Sequence, residues 1–109
     1  MTTPRVANRD AAPLVRARKE FRGSSTFARW ITPERYVVYS YGEHWPMFIC
    51  DHGQWFFNES YYSRTTAKHT SQLRPPCSNP IYRPEERMRM IAKKGATVVA
   101  TENLLKGHV

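Results

Sequence analysis

The sequence is poor in cysteine and contains no long apolar run. Cys50 and Cys77 are its two cysteines, too few for the disulfide framework of a small secreted domain. No stretch approaches the ~18 consecutive apolar residues that a membrane-spanning helix needs. The first 21 residues also lack the apolar centre of a signal peptide. These absences predict reduced thiols, a cytoplasmic location and no membrane association.

The sequence also lacks the short motifs that mark common enzyme classes. It contains no nucleophile elbow, no glycine-rich phosphate loop and no paired-histidine metal motif. The enzyme that its residues allow best is a small metal-dependent nuclease. Its general base would be His44, His52 or His69, beside Glu43 or Asp51. We favour a non-enzymatic protein, without catalytic residues and without a cofactor.

A zinc site is one possible use for the two cysteines. Two thiolates and two imidazoles suit tetrahedral zinc, and the chain offers Cys50, His52, His69 and Cys77. Their spacing differs from that of compact zinc fingers, and Cys50 follows Ile49 in an apolar run, as a small buried hydrophobe would. A cysteine beside a histidine could alternatively form a nucleophile–base pair. We expect no bound metal.

Positive charge is abundant but unevenly distributed. The 109-residue chain has a formal net charge of +8 and a pI near 9.9. Residues 1–35 carry +5 and residues 63–109 carry +6, whereas residues 36–62 carry -3 and hold ten of the fourteen aromatic residues. An aromatic centre without cations is typical of a core, and basic flanks favour anionic partners.

The central region predicts an antiparallel meander. Tyr36–Gly42, Trp45–Asp51 and Trp55–Glu59 are rich in β-branched and aromatic residues and are joined by links short enough for hairpins. The second link is a tight turn in which Gly53 adopts a positive φ. Residues 19–31 can supply a further strand on either side of a glycine. We therefore expect three to five strands.

Two segments predict helices. Ser63 suits an N-cap for a short helix over residues 63–73. Pro84–Lys94 begins with proline and acids and ends with lysines, as helices do. The predicted fold class is α+β, with one or two short helices packed on a small antiparallel sheet.

The remaining segments give weaker signals. Four prolines predict an extended connector over residues 75–84, the sequence ATVVAT at 96–101 is typical of a short strand, and residues 102–109 favour no single structure. We expect a flexible N-terminal arm over residues 1–12 and a single domain over residues 13–109.

Both faces of the first central strand are apolar. Val37, Tyr39 and Tyr41 lie on one face, and Tyr36 and Val38 on the other. Because one face of a small sheet is enough for a core, the second face needs a cover. The helix predicted at Pro84–Lys94 could supply it, and so could a homodimer.

The central pattern resembles a small domain that recurs in bacteriophage and mobile-element proteins. Its members show Y-x-V-x-S-Y-x-x-x-x-P, a tryptophan-containing strand, and then Y-S-x-T-T-x-x-H. The matching residues are Tyr36, Ser40, Tyr41, Pro46, Trp55, Tyr62, Ser63, Thr65, Thr66 and His69. The resemblance covers residues 36–74 and implies action inside a bacterial cell, without an activity to carry over.

The basic flanks provide the candidate binding residues. Phosphate binding needs several cations on one surface, helped by hydroxyl donors and by an aromatic ring such as Tyr61 or Tyr62 for base stacking. The candidates are Arg64, Lys68 and Arg74, with Ser63, Thr65, Thr66 and His69 among them; Arg16, Arg18, Lys19 and Arg22 before the sheet; and Arg87, Arg89, Lys93 and Lys94 after it. Two alternatives remain. The cations could be solvated faces, and the Ser–Thr–Thr–His group could bond backbone at a strand end.

These observations favour a phage-like accessory protein that binds nucleic acid or a host nucleoprotein complex. Inhibition of a host defence system, as by an anti-CRISPR protein, is the most specific form of this hypothesis. The alternatives are a protein–protein adaptor that recognises an acidic surface and, third, the small nuclease described above. The basic residues on both sides of the sheet segment are expected to converge on one surface.

Overall fold

The computed structural model describes residues 3–61 and 63–107, with side chains as far as residue 102. A six-stranded sheet forms its centre, and helices lie on both faces. The strands are β1 (Phe21–Arg22), β2 (Thr26–Thr32), β3 (Arg35–Ser40), β4 (Pro46–Asp51), β5 (Gln54–Asn58) and β6 (Ile81–Arg83). The helices are a 3-10 turn (Asn8–Asp10), α1 (Ala12–Arg16), α2 (Arg64–Leu73), α3 (Glu85–Lys94) and α4 (Ala96–Gly107).

The sheet follows the order of the chain. Strands β1 to β5 pair antiparallel with their neighbours, and β6 joins β5 in parallel. The α+β class is confirmed, but the sheet has six strands where three to five were predicted. The additional strand is β6, which lies inside the predicted proline-rich connector. A strand of three residues is too short to show a recognisable alternation of apolar and polar residues.

The central hairpins match the sequence prediction. β3 and β4 are buried along their whole length, and β5 is buried at its three central residues. A two-residue turn joins β4 to β5, with φ of 51° at His52 and 82° at Gly53. Both residues have positive φ, as a hairpin turn matched to the strand twist requires. The predicted strands on either side of Gly23 are confirmed as β1 and β2.

The helices are more numerous than predicted. Helix α3 begins at Glu85 with Pro84 as its N-cap, one residue later than predicted. The strand predicted at residues 96–101 is wrong, because this segment is the beginning of α4. Burial of Val99 beside α3 and capping of the Ala96 N–H by the Asp51 carboxylate at 2.8 Å outweigh the β propensity of this segment. Residues 102–107 continue α4, and residues 108–109 lie outside the described residues.

The N-terminal segment contacts the sheet. Arg5 forms a parallel bridge with Arg22, in which the Val6 N–H donates to the Arg22 carbonyl at 3.0 Å. Ala11 is buried in the core. The flexible arm predicted over residues 1–12 therefore includes backbone that pairs with β1. Its mobility stays a prediction, and residues 1–2 lie outside the described residues.

The two faces of the sheet bury separate apolar clusters. Tyr36 and Val38 face the layer made by the 3-10 turn, α1 and α2, whereas Val37 and Tyr39 face α3 and α4. The first cluster contains Ala11, Val15, Phe21, Ala28, Tyr36, Val38, Trp45, Met47, Phe48, Cys50, Trp55, Phe57 and Leu73. The second contains Val37, Tyr39, Ile49, Phe56, Met88, Ile91, Ala92 and Val99. Of the two covers that the sequence left open, a helix or a second copy of the chain, the structure shows the helix: α3 packs on the face of β3 that carries Val37 and Tyr39.

Within the described part of the chain, the longest apolar helical stretch is too short or too polar to cross a lipid bilayer.

Candidate nucleic-acid interface and the polar network beneath it

Helix α2 begins at the cap that the sequence predicts. The Ser63 hydroxyl accepts the Thr66 N–H at 3.1 Å, and the residue has extended backbone angles. This is the usual arrangement at a helix N-terminus, where the first N–H groups have no partner within the helix. Leu73 anchors the other end of α2 in the first apolar cluster. The inward side of α2 is otherwise polar.

A buried polar network joins α2 to the sheet and to the 3-10 turn. His69 Nδ1 lies 2.9 Å from Ser40 Oγ, and His69 Nε2 lies 3.4 Å from Asn8 Nδ2. Thr26 donates its hydroxyl to Asn8 Oδ1 at 2.8 Å, and Thr66 Oγ1 lies 3.4 Å from Ser40 Oγ. Four of these side chains are buried, and Asn8 is half-buried. The network satisfies polar groups that would otherwise be costly in the interior.

The hydrogen bonds of Asn8 define the tautomer of His69. Because Thr26 and the Ser25 N–H both donate to Asn8 Oδ1, the Asn8 amide presents its NH₂ group to His69 Nε2. Nε2 must then accept, and Nδ1 carries the proton that is donated to Ser40. Burial lowers the pKa of His69 below 6.5, and the nearby Lys68 charge lowers it further. His69 is therefore neutral near pH 7.

Three of the predicted phosphate ligands are used inside this network. Thr66 and His69 are buried, at 3% and 4% exposure, and the Ser63 hydroxyl is engaged with Thr66. Thr66 and His69 are too deeply buried to contact a phosphate in this structure, whereas Ser63 is half-buried and its role as an anion-binding residue stays a prediction. Ser40 and His69 are adjacent like a nucleophile and its base, but Ser40 has no exposed surface.

The outward side of the same layer is basic. Arg64, Thr65 and Lys68 are exposed on α2, and Arg16 is exposed at the end of α1, which packs against α2. Arg74 caps the C-terminus of α2 and lies over the Phe57 ring, with 5.5 Å between the guanidinium carbon and the ring centroid. The structure thus brings Arg16, Arg64, Lys68 and Arg74 to one side of the sheet.

An exposed aromatic ring stands next to these cations. Tyr61 is 70% exposed and lines a shallow cavity of about 280 Å³ together with Thr70 and Arg74. A tyrosine in this position offers a ring face to a nucleic-acid base. Tyr62, the alternative stacking residue, lies outside the described residues.

Other predicted basic residues have structural contacts. Arg18 has a left-handed φ of 53°, its carbonyl accepts the Trp30 indole N–H at 3.0 Å, and its side chain interacts with the Cys50 thiol. Burial nevertheless raises the pKa of Cys50. Lys19 accepts the Tyr36 hydroxyl through its carbonyl at 2.7 Å. Arg22 lies in β1, at the far edge of the sheet.

The third basic group lies on the opposite face of the sheet. Arg87, Arg89, Lys93 and Lys94 all belong to α3. Arg89 pairs with Glu85 at 2.6 Å on the same helix, and Lys94 pairs with Glu102 of α4 at 3.2 Å. The expected convergence of basic residues from both flanks is therefore found only in part: Arg16 lies on the same side as α2, whereas the sheet separates the cations of α3 from them.

Sequence reasoning did not identify a buried ion pair beneath α3 and α4. Arg35 and Asp51 face each other across β3 and β4, with Nε and Oδ1 3.5 Å apart, and both are nearly inaccessible to solvent. Arg35 also donates to the Ala92 carbonyl at the end of α3, at 2.9 Å, and Asp51 accepts the Ala96 N–H at the start of α4. The sequence signal for this pair was the position of two opposite charges: Arg35 begins the apolar hairpin of β3 and β4, and Asp51 ends it.

The candidate zinc ligands do not form a cluster. Cys50 is buried in the first apolar cluster, His52 is largely exposed beside Asp51, and Cys77 lies near Asn79. Over residues 3–61 and 63–107, no group of three or more His, Cys, Asp or Glu side chains is placed to hold a metal ion. Asp51, one candidate partner for a catalytic histidine, lies 3.1 Å from His52 Nδ1 and also contacts Arg35 and the start of α4.

No known protein family, curated protein sequence or solved structure matches the chain. The resemblance to a phage and mobile-element domain stays a prediction.

Proposed function

We propose that the α1–α2 side of the protein binds nucleic acid through the phosphate backbone, as a non-enzymatic accessory protein. The nucleic acid can be free or part of a host nucleoprotein complex, as the phage-like pattern suggests. One observation carries the proposal: Arg16, Arg64, Lys68 and Arg74 lie on one side of the sheet, and none of them forms an ion pair with a described residue.

The segment that contains α2 has no acidic residue, and Glu59, just before it, lines the same cavity as Tyr61 and Arg74. Residues 60–82 contain Arg64, Lys68 and Arg74 but no aspartate or glutamate. Affinity for a polyanion comes from counterions released when cations approach the phosphates, so unpaired cations contribute more than paired ones. Within helix α2, Arg64 and Lys68 are spaced i, i+4 and so lie on one face.

The neighbouring groups suit single-stranded nucleic acid. Tyr61 offers an exposed ring, and Thr65 offers an exposed hydroxyl at the first turn of α2. Stacking on an aromatic residue contributes about 1–3 kcal/mol per base and tolerates different sequences. We therefore expect weak sequence preference and stronger binding to single strands than to duplexes.

The test is a salt titration of binding to a fluorescent single-stranded oligonucleotide. Wild-type affinity should fall steeply with salt. Replacing Arg64, Lys68 and Arg74 with glutamine should reduce the slope of log K against log salt by about 2, since each phosphate contact on a single strand contributes about 0.7. The circular dichroism spectrum should remain that of the wild type.

A charge-matched control lies on the other face. Replacing Arg83, Arg87 and Lys94 with glutamine removes the same charge from residues near α3 and α4. This variant should keep most of the slope. Equal losses in both variants, or wild-type binding that does not respond to salt, would exclude the α1–α2 side as the interface. Partners retained from a nuclease-treated host lysate would favour the adaptor function instead.

A further inference from the structure

A second, concave site lies on the α3 side of the sheet. It is a cleft of about 530 Å³ between α3 and the strands β2 and β3. Its lining residues are Arg29, Ile31, Tyr39, Glu43, His44, Arg89, Ala92 and Lys93. The volume is within the range of pockets that hold small organic ligands. Because the sheet separates it from α2, the cleft is independent of the interface proposed above.

The polar wall of the cleft is rich in cations. Arg29 comes from β2, and Arg89 and Lys93 come from consecutive turns of α3, spaced i, i+4. His44 adds a ring from the turn between β3 and β4. Several positive groups from two separate elements suit a phosphate, which has three acceptor oxygens and up to two negative charges.

The cleft also has an apolar lining, which comes from the same elements. Ile31, Tyr39 and Ala92 contribute it, and Ile31 keeps 38% of its surface exposed. Arg29 is held over two stacked rings, with its guanidinium carbon 5.8 Å from the centroids of both Phe27 and Tyr39. A guanidinium fixed in this way keeps its orientation and loses little freedom when an anion binds. The cleft therefore offers apolar surface beside a positioned cation.

We propose that this cleft binds a small phosphorylated molecule that also has a flat apolar ring, such as a nucleoside monophosphate. Its phosphate contacts Arg29, Arg89 and Lys93, and its ring lies against Ile31 and Ala92. Phosphate alone would leave the apolar lining solvated. An uncharged ring would leave Lys93 without a described anionic partner, and Arg29 and Arg89 with only their pairs to Glu43 and Glu85. Affinity should therefore require both parts of the ligand.

Glu43 occupies the position of a competing anion. It forms an ion pair with Arg29 and lies in the turn between β3 and β4, with 65% of its side chain exposed. An exposed ion pair of this kind has little net stability, so a ligand phosphate can replace the carboxylate at Arg29. Removal of the Glu43 charge should strengthen ligand binding.

The experiment is calorimetric titration of the full chain with adenosine 5′-monophosphate, inorganic phosphate and adenosine at low salt. The nucleotide should bind at least about tenfold more tightly than either part alone. Arg89→Gln combined with Lys93→Gln should weaken nucleotide binding roughly tenfold or more. Glu43→Gln should strengthen it by about two- to fivefold. All substituted side chains are exposed, so the variants should fold.

The matched control is Arg5→Gln combined with Arg9→Gln, which removes the same charge from exposed positions outside both proposed sites. Nucleotide affinity should be unchanged in this variant. The proposal is overturned if the nucleotide shows no binding at millimolar concentration, if phosphate binds as tightly as the nucleotide, or if the control weakens binding as much as the α3 variant. A larger loss of nucleotide binding in the α3 variant than in Arg64→Gln combined with Lys68→Gln would show that the two sites are separate.

Discussion

The two sides of the sheet hold polar and charged groups in opposite ways. On the α2 side, the buried groups are neutral, around Ser40 and His69, and the cations outside have no described ion pair. On the α3 side, the buried groups are the charged pair Arg35–Asp51, and three of the cations outside are paired with acids. The net charge of the chain does not show which side is available to an anion. The positions of the acidic residues relative to the cations do show it.

The comparison predicts that the charged core is more sensitive to substitution than the neutral core. Asp51→Ala leaves the Arg35 charge buried without its partner and removes the cap of the Ala96 N–H. The free energy of unfolding should fall by about 3–5 kcal/mol, measured by urea denaturation. Replacing both Arg35 and Asp51 with apolar residues should be less harmful than Asp51→Ala alone. A larger loss in the double variant would contradict this account.

A smaller loss is expected on the α2 side. Ser40→Ala removes the acceptor of the His69 Nδ1–H while leaving the histidine buried. An unsatisfied buried donor costs about 1–3 kcal/mol, so urea denaturation should show a loss in that range. Thr65→Ala, at an exposed position on α2, is the control and should change stability by less than about 0.5 kcal/mol. A Ser40→Ala loss as small as that of the control would show that the network is not stabilising.

Acidic pH should lower the free energy of unfolding through His69, on the α2 side of the sheet. The folded state lowers the pKa of this histidine, so the unfolded state binds the proton first as pH falls. The stability that neutral His69 contributes is fully present above pH 6.5. It decreases as the pH falls below 6.5, until His69 is protonated in the folded state as well. Urea denaturation between pH 5 and 8 should show this decrease in the wild type. His69→Gln should show a flatter profile, and an unchanged profile would assign the effect to other groups.

The smallest effect on stability is expected at the exposed cations. Lys68→Gln should change the free energy of unfolding by less than about 0.5 kcal/mol, since surface substitutions rarely do more. It should also raise the pKa of His69, because Lys68 is one of the two causes of its depression. Nuclear magnetic resonance titration of the His69 ring measures that shift. A pKa that stays the same would leave burial as the sole cause.

The sequence predicts those parts of the fold that depend on local signals. The central hairpins follow from apolar runs and short turns, and α2 and α3 follow from Ser63, Pro84 and the terminal charges. Helix α4 is different, because its β-branched residues taken alone favour a strand. Contacts with α3 and the cap from Asp51 outweigh that preference in the folded protein. Strand β6 is likewise defined by the neighbouring β5 and not by its own composition.

The candidate interface is predictable only in part. Arg64, Lys68 and Arg74 are exposed as expected, whereas Thr66 and His69 from the same short stretch point inward. Because an α-helix has 3.6 residues per turn, residues close together in the sequence of α2 can point to opposite sides. The sequence does not show which of the two sides is buried. Helices α2 and α3 lie on opposite faces of the sheet because of the way the chain crosses it. No local sequence pattern predicts that crossing.

The Arg35–Asp51 pair also links the motions of the two C-terminal helices. Arg35 holds the last turn of α3 and Asp51 holds the first turn of α4, and the two side chains contact each other. Detachment of either helix breaks part of the same set of bonds. Amide protons in α3 and α4 should therefore exchange with solvent deuterium as one cooperative unit, while those of α2 exchange at a rate of their own.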